Sequence, residues 1–144
     1  MSLHVRQNEY ELLRRHSEQA YPEECCGVLI GRAIDGERRV HAAIPCSNTR
    51  VDSARTRFQI DPAELVQVQR KARESAMEIV GFYHSHPDHP AQPSPTDLEH
   101  AHWIGCSYVI TAVAHGTAMD TRSFCLSGTR EEDKHFLGEL IHVF

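Results

Sequence analysis

The chain alternates between stretches in which apolar residues recur at helical spacing and short runs in which they are nearly continuous. Two stretches have the helical pattern, at 7–20 and 61–76. The first is followed by Pro22, which cannot continue a helix. The second starts at Asp61, whose carboxylate can accept a backbone N–H, and Pro62 suits the first helical position. These residues predict two amphipathic helices.

Short apolar or alternating runs bounded by turn residues have the length of strands. We predict strands at 26–31, 39–44, 58–60, 78–83, 107–113 and 118–126, with a closing edge strand at 139–144. Asp35-Gly36 and His115-Gly116 lie between neighbouring strands and indicate hairpin turns. The order of the elements predicts a single mixed α/β domain, in which two or three helices flank a curved mixed β-sheet.

Two segments have no periodicity and predict loops. The proline-rich segment 86–95 leads to Ser94-Pro95-Thr96-Asp97, which has the composition of a helix start and predicts a third helix to about residue 102. The polar segment 46–57 is either only a connection or one wall of a groove. In the second case an extended peptide would lie there and add as a strand to an open sheet edge.

Composition narrows the class of protein. With 144 residues, 40% of them hydrophobic and 24% charged, the chain fits one compact domain. Its net charge of −5 argues against a nucleic-acid partner, which favours a basic surface. No apolar run approaches the roughly 20 residues that span a bilayer, and the first residues do not resemble a signal peptide. We therefore expect a cytoplasmic location and no membrane partner.

The five cysteines contain no CxxC pair. A cysteine-based zinc knuckle or redox motif is therefore not expected. We expect these thiols to be small buried core residues rather than halves of disulfides.

Histidine is unusually frequent, at eleven residues, and several cluster between positions 84 and 102. His84 and His86 are two residues apart at the end of a predicted strand, so their side chains share one face. Asp97 follows after ten residues, at the start of the third helix. Two imidazoles and a carboxylate can hold zinc and leave a fourth position for water. Water bound there ionises near pH 7 and supplies a nucleophile.

Such a centre also needs a proton shuttle and a donor to the developing oxyanion. Glu23 or Glu24, just before the first buried strand, could supply the shuttle, and Ser94 could supply the donor. Each residue also has a simpler interpretation. A pair of histidines is often only exposed, a glutamate before a strand is often a solvated loop acid, and Ser-x-x-Asp resembles a capping box.

The order and spacing of these residues resemble the JAMM motif of the MPN+ metalloproteases. The segment HSHPDHPAQPSPTD agrees with that motif at each spacing, including the serine three residues before the aspartate. The segment PEECCGVLIG is similar to the N-terminal block of the family, in which a glutamate lies three residues before a glycine. This favours Glu24 over Glu23, because Gly27 follows Glu24 by three positions. The resemblance runs from about residue 5 to residue 125.

The resemblance implies a cytidine-deaminase-like α/β fold, with residues 1–144 forming one JAB/MPN domain. It implies that His84, His86 and Asp97 hold one zinc ion per chain. It further implies that Glu24 acts as general base and then general acid, and that Ser94 stabilises the tetrahedral oxyanion. The reaction expected from the resemblance is zinc-dependent hydrolysis of amide or isopeptide bonds after ubiquitin-like C-termini.

The short length and the segment FQIDPAEL resemble the prokaryotic stand-alone branch of that family. Its members are similar to hydrolases that release cysteine or other adducts from small ubiquitin-like sulfur-carrier proteins. We therefore expect such a carrier as the substrate partner. Polyubiquitin is not expected, because little of the sequence is spare for the eukaryotic insertions. A homodimer is expected by analogy alone.

Two other functions are weighed against this hydrolase. The first is a non-catalytic MPN-type binding module, which some relatives without the metal ligands are; every ligand position is filled here. The second is a zinc deaminase, but that class needs a cysteine pair near His-x-Glu, which this chain lacks. For the neighbouring His89, His100 and His102, we expect exposure first, substrate contact second and metal binding third. Trp103 is expected to pack in the core.

Overall fold

Seven β-strands close into a barrel in the computed structural model, which describes residues 1–50 and 53–144. The strands follow one another around the barrel in the order β1-β3-β2-β4-β5-β6-β7, and β7 pairs again with β1. Parallel pairing joins β1 to β3, β1 to β7 and β4 to β5, while the other neighbours are antiparallel. The elements are β1 (Ser2–Val5), α1 (Gln7–Ala20), β2 (Cys26–Ile34), β3 (Glu37–Cys46), α2 (Pro62–Glu74), β4 (Glu78–Pro87), α3 (Pro95–His100), β5 (Ser107–Ala114), β6 (Thr117–Ser127), a 3₁₀ helix (Glu131–Asp133) and β7 (His135–Val143).

The predicted α/β class with a mixed sheet and flanking helices is confirmed, but the curvature goes further than expected. The prediction of an edge strand at 139–144 is wrong, because β7 pairs with both β6 and β1. β1 has only four residues, too few to produce a recognisable pattern, and yet it completes the ring.

The predicted strand at 58–60 is also wrong. The backbone of Gln59 bonds to an earlier part of the same loop. Its N–H donates to Asn48 Oδ1 (3.1 Å), and its carbonyl accepts from the Thr49 N–H (2.9 Å). A side chain therefore supplies a partner that a neighbouring strand would otherwise provide.

The helices agree more closely with prediction. α1 has the predicted bounds, and Asp61 caps α2 by accepting a hydrogen bond from the Ala63 N–H (2.9 Å). α3 ends at His100 rather than near residue 102. No helix among the described residues is long and apolar enough to cross a membrane.

β2 and β4 form the buried centre of the sheet. Along β2, Val28 and Ile30 pack in the cluster that contains Ala72 of α2, whereas Leu29 packs in the cluster that contains Leu13 of α1. A strand covered on both faces reads as a continuous apolar run, which explains the pattern of this segment in the sequence. The two central strands are therefore fixed by packing from both sides.

Gly27 allows β2 and β4 to fit closely next to the site. A Cβ at this position would lie 2.0 Å from the ring of Tyr83 on the paired strand. The Tyr83 hydroxyl in turn hydrogen-bonds His16 Nδ1 on α1 (2.7 Å). The ring of Tyr83 thus lies over β2 at Gly27, where a residue with a side chain would not fit.

The five cysteines, all of which lie among the described residues, are free thiols. Four are buried and Cys106 is half-buried. The expectation that they are core residues rather than disulfides is confirmed.

Candidate metal centre

His84 and His86 lie side by side at the end of β4. Both are buried, with 3% and 6% of their surface exposed, and their Nε2 atoms are 3.1 Å apart. The one-residue separation puts both imidazoles on the same face of the strand, as the sequence predicts. The ring of Phe58, from the loop before α2, stacks on His84 with centroids 4.6 Å apart.

Asp97 joins them from the first turn of α3. Its Oδ1 lies 3.3 Å from His84 Nε2, and its Oδ2 lies 3.0 Å from His86 Nε2. One ligand atom from each residue lies within 4.8 Å of the others, and among the described residues no other group of three histidine, cysteine or acidic side chains meets this test. The structure therefore brings together the three residues that the sequence predicts as metal ligands.

The donor set fits zinc. Tetrahedral zinc with bonds of about 2.0–2.1 Å holds neighbouring ligand atoms roughly 3.3 Å apart, close to the 3.0–3.3 Å seen here. His86 Nδ1 lies 2.8 Å from the Pro90 carbonyl, which can only accept, so Nδ1 carries a proton; in the neutral ring, Nε2 then has the lone pair that a metal needs. A backbone carbonyl thus orients one ligand in the form that binds a metal.

The electrostatics of the three residues favour an anionic carboxylate beside imidazole. Burial alone would raise the pKa of Asp97, but hydrogen bonds from the two histidines and the Ser94 N–H hold it well below its usual range. Burial lowers the pKa of His84, which favours its neutral form. Burial also acts to lower the pKa of His86, but bonds to Asp97 and to the Pro90 carbonyl outweigh it and raise that pKa.

Glu24 lies just before β2 and is 4% exposed. The β2–β4 register pairs Cys26 with His84, and the Cys25 N–H donates to Ser85 Oγ (2.9 Å), so the segment that carries Glu24 runs beside the histidines. Burial raises the pKa of Glu24 to about 8; attraction to His86 opposes this and repulsion from Asp97 adds to it. Oε1 has no hydrogen-bond partner among the described residues.

The two candidate glutamates therefore have different environments. Glu23 is exposed, whereas Glu24 is buried close enough to His86 and Asp97 for their charges to change its pKa. An acid with a pKa near neutrality and a free oxygen is suited to carry a proton. The interpretation of a solvated loop acid fits Glu23 and not Glu24.

Ser94 caps α3, as the simpler interpretation proposed. Its hydroxyl accepts a hydrogen bond from the Asp97 N–H (3.0 Å), and Asp97 Oδ2 accepts one from the Ser94 N–H (2.9 Å). The cap uses a lone pair of the hydroxyl and leaves its proton available to another acceptor. Capping and donation to an oxyanion are therefore compatible, and the capping box also fixes the Asp97 carboxylate beside the two histidines.

A cavity of about 480 Å³ opens beside the centre. The loop before α2 forms one wall, and α3 with the segment after it forms another. Its aromatic floor contains Phe82, Trp103 and Tyr108, so Trp103 both packs in the core and faces the cavity. The residues that line it are Arg50, Thr56, Arg57, Phe58, Gln59, Ile60, Leu65, Phe82, His84, Thr96, Asp97, His100, Ala101, His102, Trp103, Tyr108, Ile110 and Phe136.

This cavity bears on two predictions. His100 and His102 are exposed and line it, whereas His89 is exposed and does not. The loop predicted at 46–57 contributes part of a wall, although positions 51 and 52 lie outside the described residues. Strand addition by a peptide stays a prediction, and the closed ring of paired strands leaves less open sheet edge than that prediction assumed.

Three contributors to the site escaped prediction. Phe58 was assigned to a strand, and Pro90 binds His86 through its carbonyl, which any residue type has. Asn48 contacts Glu24 across 24 positions (Nδ2 to O, 3.1 Å). The only signal for Asn48 in the sequence is its place in a polar loop before a helix start.

Residues 6–126 match the family model Prok-JAB, described as prokaryotic homologs of the JAB domain. A desampylase from Haloferax volcanii is 42% identical over 89 residues, which are 62% of this chain and 62% of the desampylase. The match thus spans less than two thirds of that relative.

Two further proteins are similar over more of the chain. A CysO-cysteine peptidase from Mycobacterium bovis is 34% identical over 110 residues, covering 76% of this chain and 72% of the peptidase. The solution structure of a Desulfitobacterium hafniense protein superposes with a TM-score of 0.82 at 28% identity, covering 99% of this chain and 92% of that one.

Proposed function

Because the chain belongs to the family of prokaryotic homologs of the JAB domain, we propose that it is a zinc-dependent isopeptidase-type hydrolase. One observation carries the proposal. The ligand atoms of His84, His86 and Asp97 converge beside a buried glutamate, Glu24, whose pKa lies near neutrality. Ligands, proton shuttle and an adjoining cavity are the parts that hydrolysis of an amide requires.

The substrate we propose is an amide or isopeptide bond at the C-terminus of a small ubiquitin-like sulfur-carrier protein. Two similar proteins are named a desampylase and a CysO-cysteine peptidase, so the proposal extends the chemistry in their names to this chain. The cavity beside the centre is open to one side of the metal ligands, and we assign it to the extended tail of the carrier.

His84, His86 and Asp97 would hold the zinc ion, one per chain, which when bound supplies a Lewis acid and ionises water near neutral pH. Glu24 then accepts a proton from the attacking water at its unpartnered Oε1 and passes it to the leaving nitrogen. The Ser94 hydroxyl donates a hydrogen bond to the oxyanion that develops on the scissile carbonyl. Asp97 stays anionic, because its capping and histidine contacts keep its pKa low.

We also make a proposal about the domain organisation of the chain. We propose that residues 1–144 form a single domain, since β1 and β7 from the two ends pair with each other. A cytidine-deaminase-like fold, a cytoplasmic location and a homodimer stay predictions. No contact to a nucleic acid or a membrane is proposed.

The test is cleavage of a defined probe, a ubiquitin-like sulfur-carrier protein whose C-terminal carboxyl is amide-linked to a fluorescent amine. Zinc content is measured on the same samples by elemental mass spectrometry. We expect about one zinc per chain and release of the amine. Protein without zinc that also fails to cleave after zinc is added would reduce the chain to a non-catalytic binding module.

A further inference from the structure

Asn48, in the loop between β3 and α2, uses the whole hydrogen-bonding capacity of its side-chain amide on backbone groups. Its Nδ2 donates to the carbonyls of Glu24 (3.1 Å) and Arg57 (3.0 Å). Its Oδ1 accepts from the N–H groups of Arg50 (3.0 Å) and Gln59 (3.1 Å). An amide has two donors and two acceptor lone pairs, so all four are used.

The same loop reaches the Glu24 peptide a second time. The Glu24 N–H donates to the Ala54 carbonyl (2.8 Å), while the Glu24 carbonyl accepts from Asn48. Glu24 lies outside β2, so these two bonds do for its backbone what pairing with a neighbouring strand does for the residues that follow it. Both partners of this backbone belong to one loop.

The loop also covers a metal ligand. Asn48 bonds to Arg57 and to Gln59, and the residue between them, Phe58, stacks on His84. Phe58 also lines the cavity, as does Gln59. A single side chain, Asn48, therefore ties the backbone of the base to the wall that covers His84.

We propose that Asn48 is a positioning residue that couples the cavity wall to Glu24. It touches neither substrate nor metal; it holds the Glu24 carbonyl and the 57–59 segment at a fixed separation. The proposal rests on the hydrolase function proposed above and adds to it the coupling between the cavity wall and the base. A misplacement of a catalytic group by about 1 Å can lower a rate 10²-fold, so such a role has a measurable effect.

The chemistry of the amide predicts which replacements fail. Aspartate has the same shape and keeps an acceptor for Arg50 and Gln59, but it cannot donate to the carbonyls of Glu24 and Arg57. Asn48→Asp therefore removes the link to the base while leaving the acceptor half in place. Thr49→Val is the matched control, because it removes a bond within the same loop, Thr49 Oγ1 to the Gln59 carbonyl (3.0 Å), and leaves Glu24 alone.

The experiment measures kcat and KM on the carrier probe for both variants, alone and with Glu24→Gln. We expect Asn48→Asp to lower kcat about 10- to 100-fold with zinc retained, and Thr49→Val to stay within about twofold. If Asn48 acts through the base, Asn48→Asp has almost no further effect on the residual rate of Glu24→Gln. Equal effects of the two loop variants, or full additivity with Glu24→Gln, would overturn the proposal.

Amide hydrogen exchange separates this proposal from the hydrolase function. In Asn48→Asp, and not in Thr49→Val, we expect faster amide exchange in two sets of peptides, those that cover residues 23–26 and those that cover residues 53–60. If the wild-type protein fails to cleave the probe, the proposed function fails. Unchanged exchange at 23–26 in Asn48→Asp then overturns the coupling as well, whereas faster exchange in both segments keeps it as a structural property.

Discussion

The two halves of the centre are held by different means. His84 and His86 lie on β4, which pairs with β2 on one side and β5 on the other, and Asp97 is fixed by the capping box of α3. Glu24 lies outside the sheet ladder, where a loop supplies the partners of its backbone. The three residues that we propose as metal ligands thus depend on regular structure, whereas the proposed base depends on bonds from a distant loop.

This difference divides the expected consequences of mutation. Changes at His84, His86 or Asp97 should remove metal and activity together, because no other group of three histidine, cysteine or acidic side chains among the described residues could hold a metal. Changes at the base or its loop should remove turnover and leave the metal in place. We therefore expect metal content and turnover to respond to different mutations.

The largest effect is expected at a ligand. His84→Ala should lose zinc and lower kcat/KM by about 10⁴-fold or more, because the metal supplies several kcal/mol and each 1.4 kcal/mol is tenfold. Zinc content and cleavage of the carrier probe are the measurements. His89→Ala is the control, since His89 is exposed and lies outside the cavity. Zinc retained at one per chain in His84→Ala would contradict the assignment.

Glu24→Gln should retain zinc and lower kcat about 10³-fold, since general acid–base catalysis typically contributes 10²–10⁴. Glu23→Gln, one residue earlier and exposed, should have the wild-type rate. This pair tests the division directly, because both variants should contain one zinc per chain. A Glu24→Gln variant with an unchanged rate would remove Glu24 from the mechanism.

Glu24→Gln should also raise the free energy of unfolding at high pH, measured on protein from which a chelator has removed the metal. Burial raises the pKa of Glu24 from an ordinary 4.5 to about 8, so the folded state binds an extra proton between these values and its stability falls as pH rises from 4.5 to 8. The glutamine variant lacks this loss and should be more stable at pH 8 by about 4 kcal/mol. Denaturant titrations should show the gap closing below pH 5; a gap independent of pH would refute the cause.

Substitutions at Ser94 can distinguish its role as a helix cap from its proposed role as an oxyanion donor. Ser94→Ala should lower kcat about 10²–10³-fold, as for one lost donor, and destabilise the protein by about 1 kcal/mol through the lost cap. Glycine is tolerated at a cap at a cost of only a few tenths of a kcal/mol and has no side chain that could donate to an oxyanion. If Ser94→Gly keeps most of the stability and not the rate, the hydroxyl acts on the substrate. If Ser94→Gly keeps both, Ser94 only positions Asp97.

Local patterns predicted the ligand half of the centre and missed the support of the base. α1, the cap at Asp61 and the His-x-His face follow from periods and caps that span a few residues. Barrel closure depends on a four-residue strand, β1, whose partners are 35 or more positions away, so no local window contains the signal.

Glu24 illustrates the same limit at the level of one residue. Its place in the order of the motif was visible, but the burial that raises its pKa comes from packing against other elements. The 58–60 segment has the composition of a strand, and hydrogen bonds from Asn48 and Thr49 prevailed over that preference. A side-chain partner about ten positions away cannot be read from strand periodicity.

The smallest expected effect concerns alkylation of two cysteines near Glu24 and its supporting loop, Cys26 and Cys46. Cys26 lies two residues after Glu24, and Cys46 is the last residue of β3, just before the loop. The two cysteines are paired residues of β2 and β3, and both are buried. Burial raises the pKa of Cys46 to about 12, so only about 10⁻⁴ of this thiol is ionised at pH 8. We expect iodoacetamide to modify Cys46 in the native protein far more slowly than an exposed thiol.

Mass spectrometry of timed alkylation tests whether the loop opens. Cys106 is half-buried and its pKa is raised only to about 11, so it should react before Cys46. If the loop is anchored at its start as firmly as the ladder indicates, Asn48→Asp should change exchange at 53–60 without exposing Cys46. Rapid modification of Cys46 in that variant would show that opening spreads into β3. In that case the loop and β3 would open together, and the loop that supports Glu24 would not be independent of the sheet that carries His84 and His86.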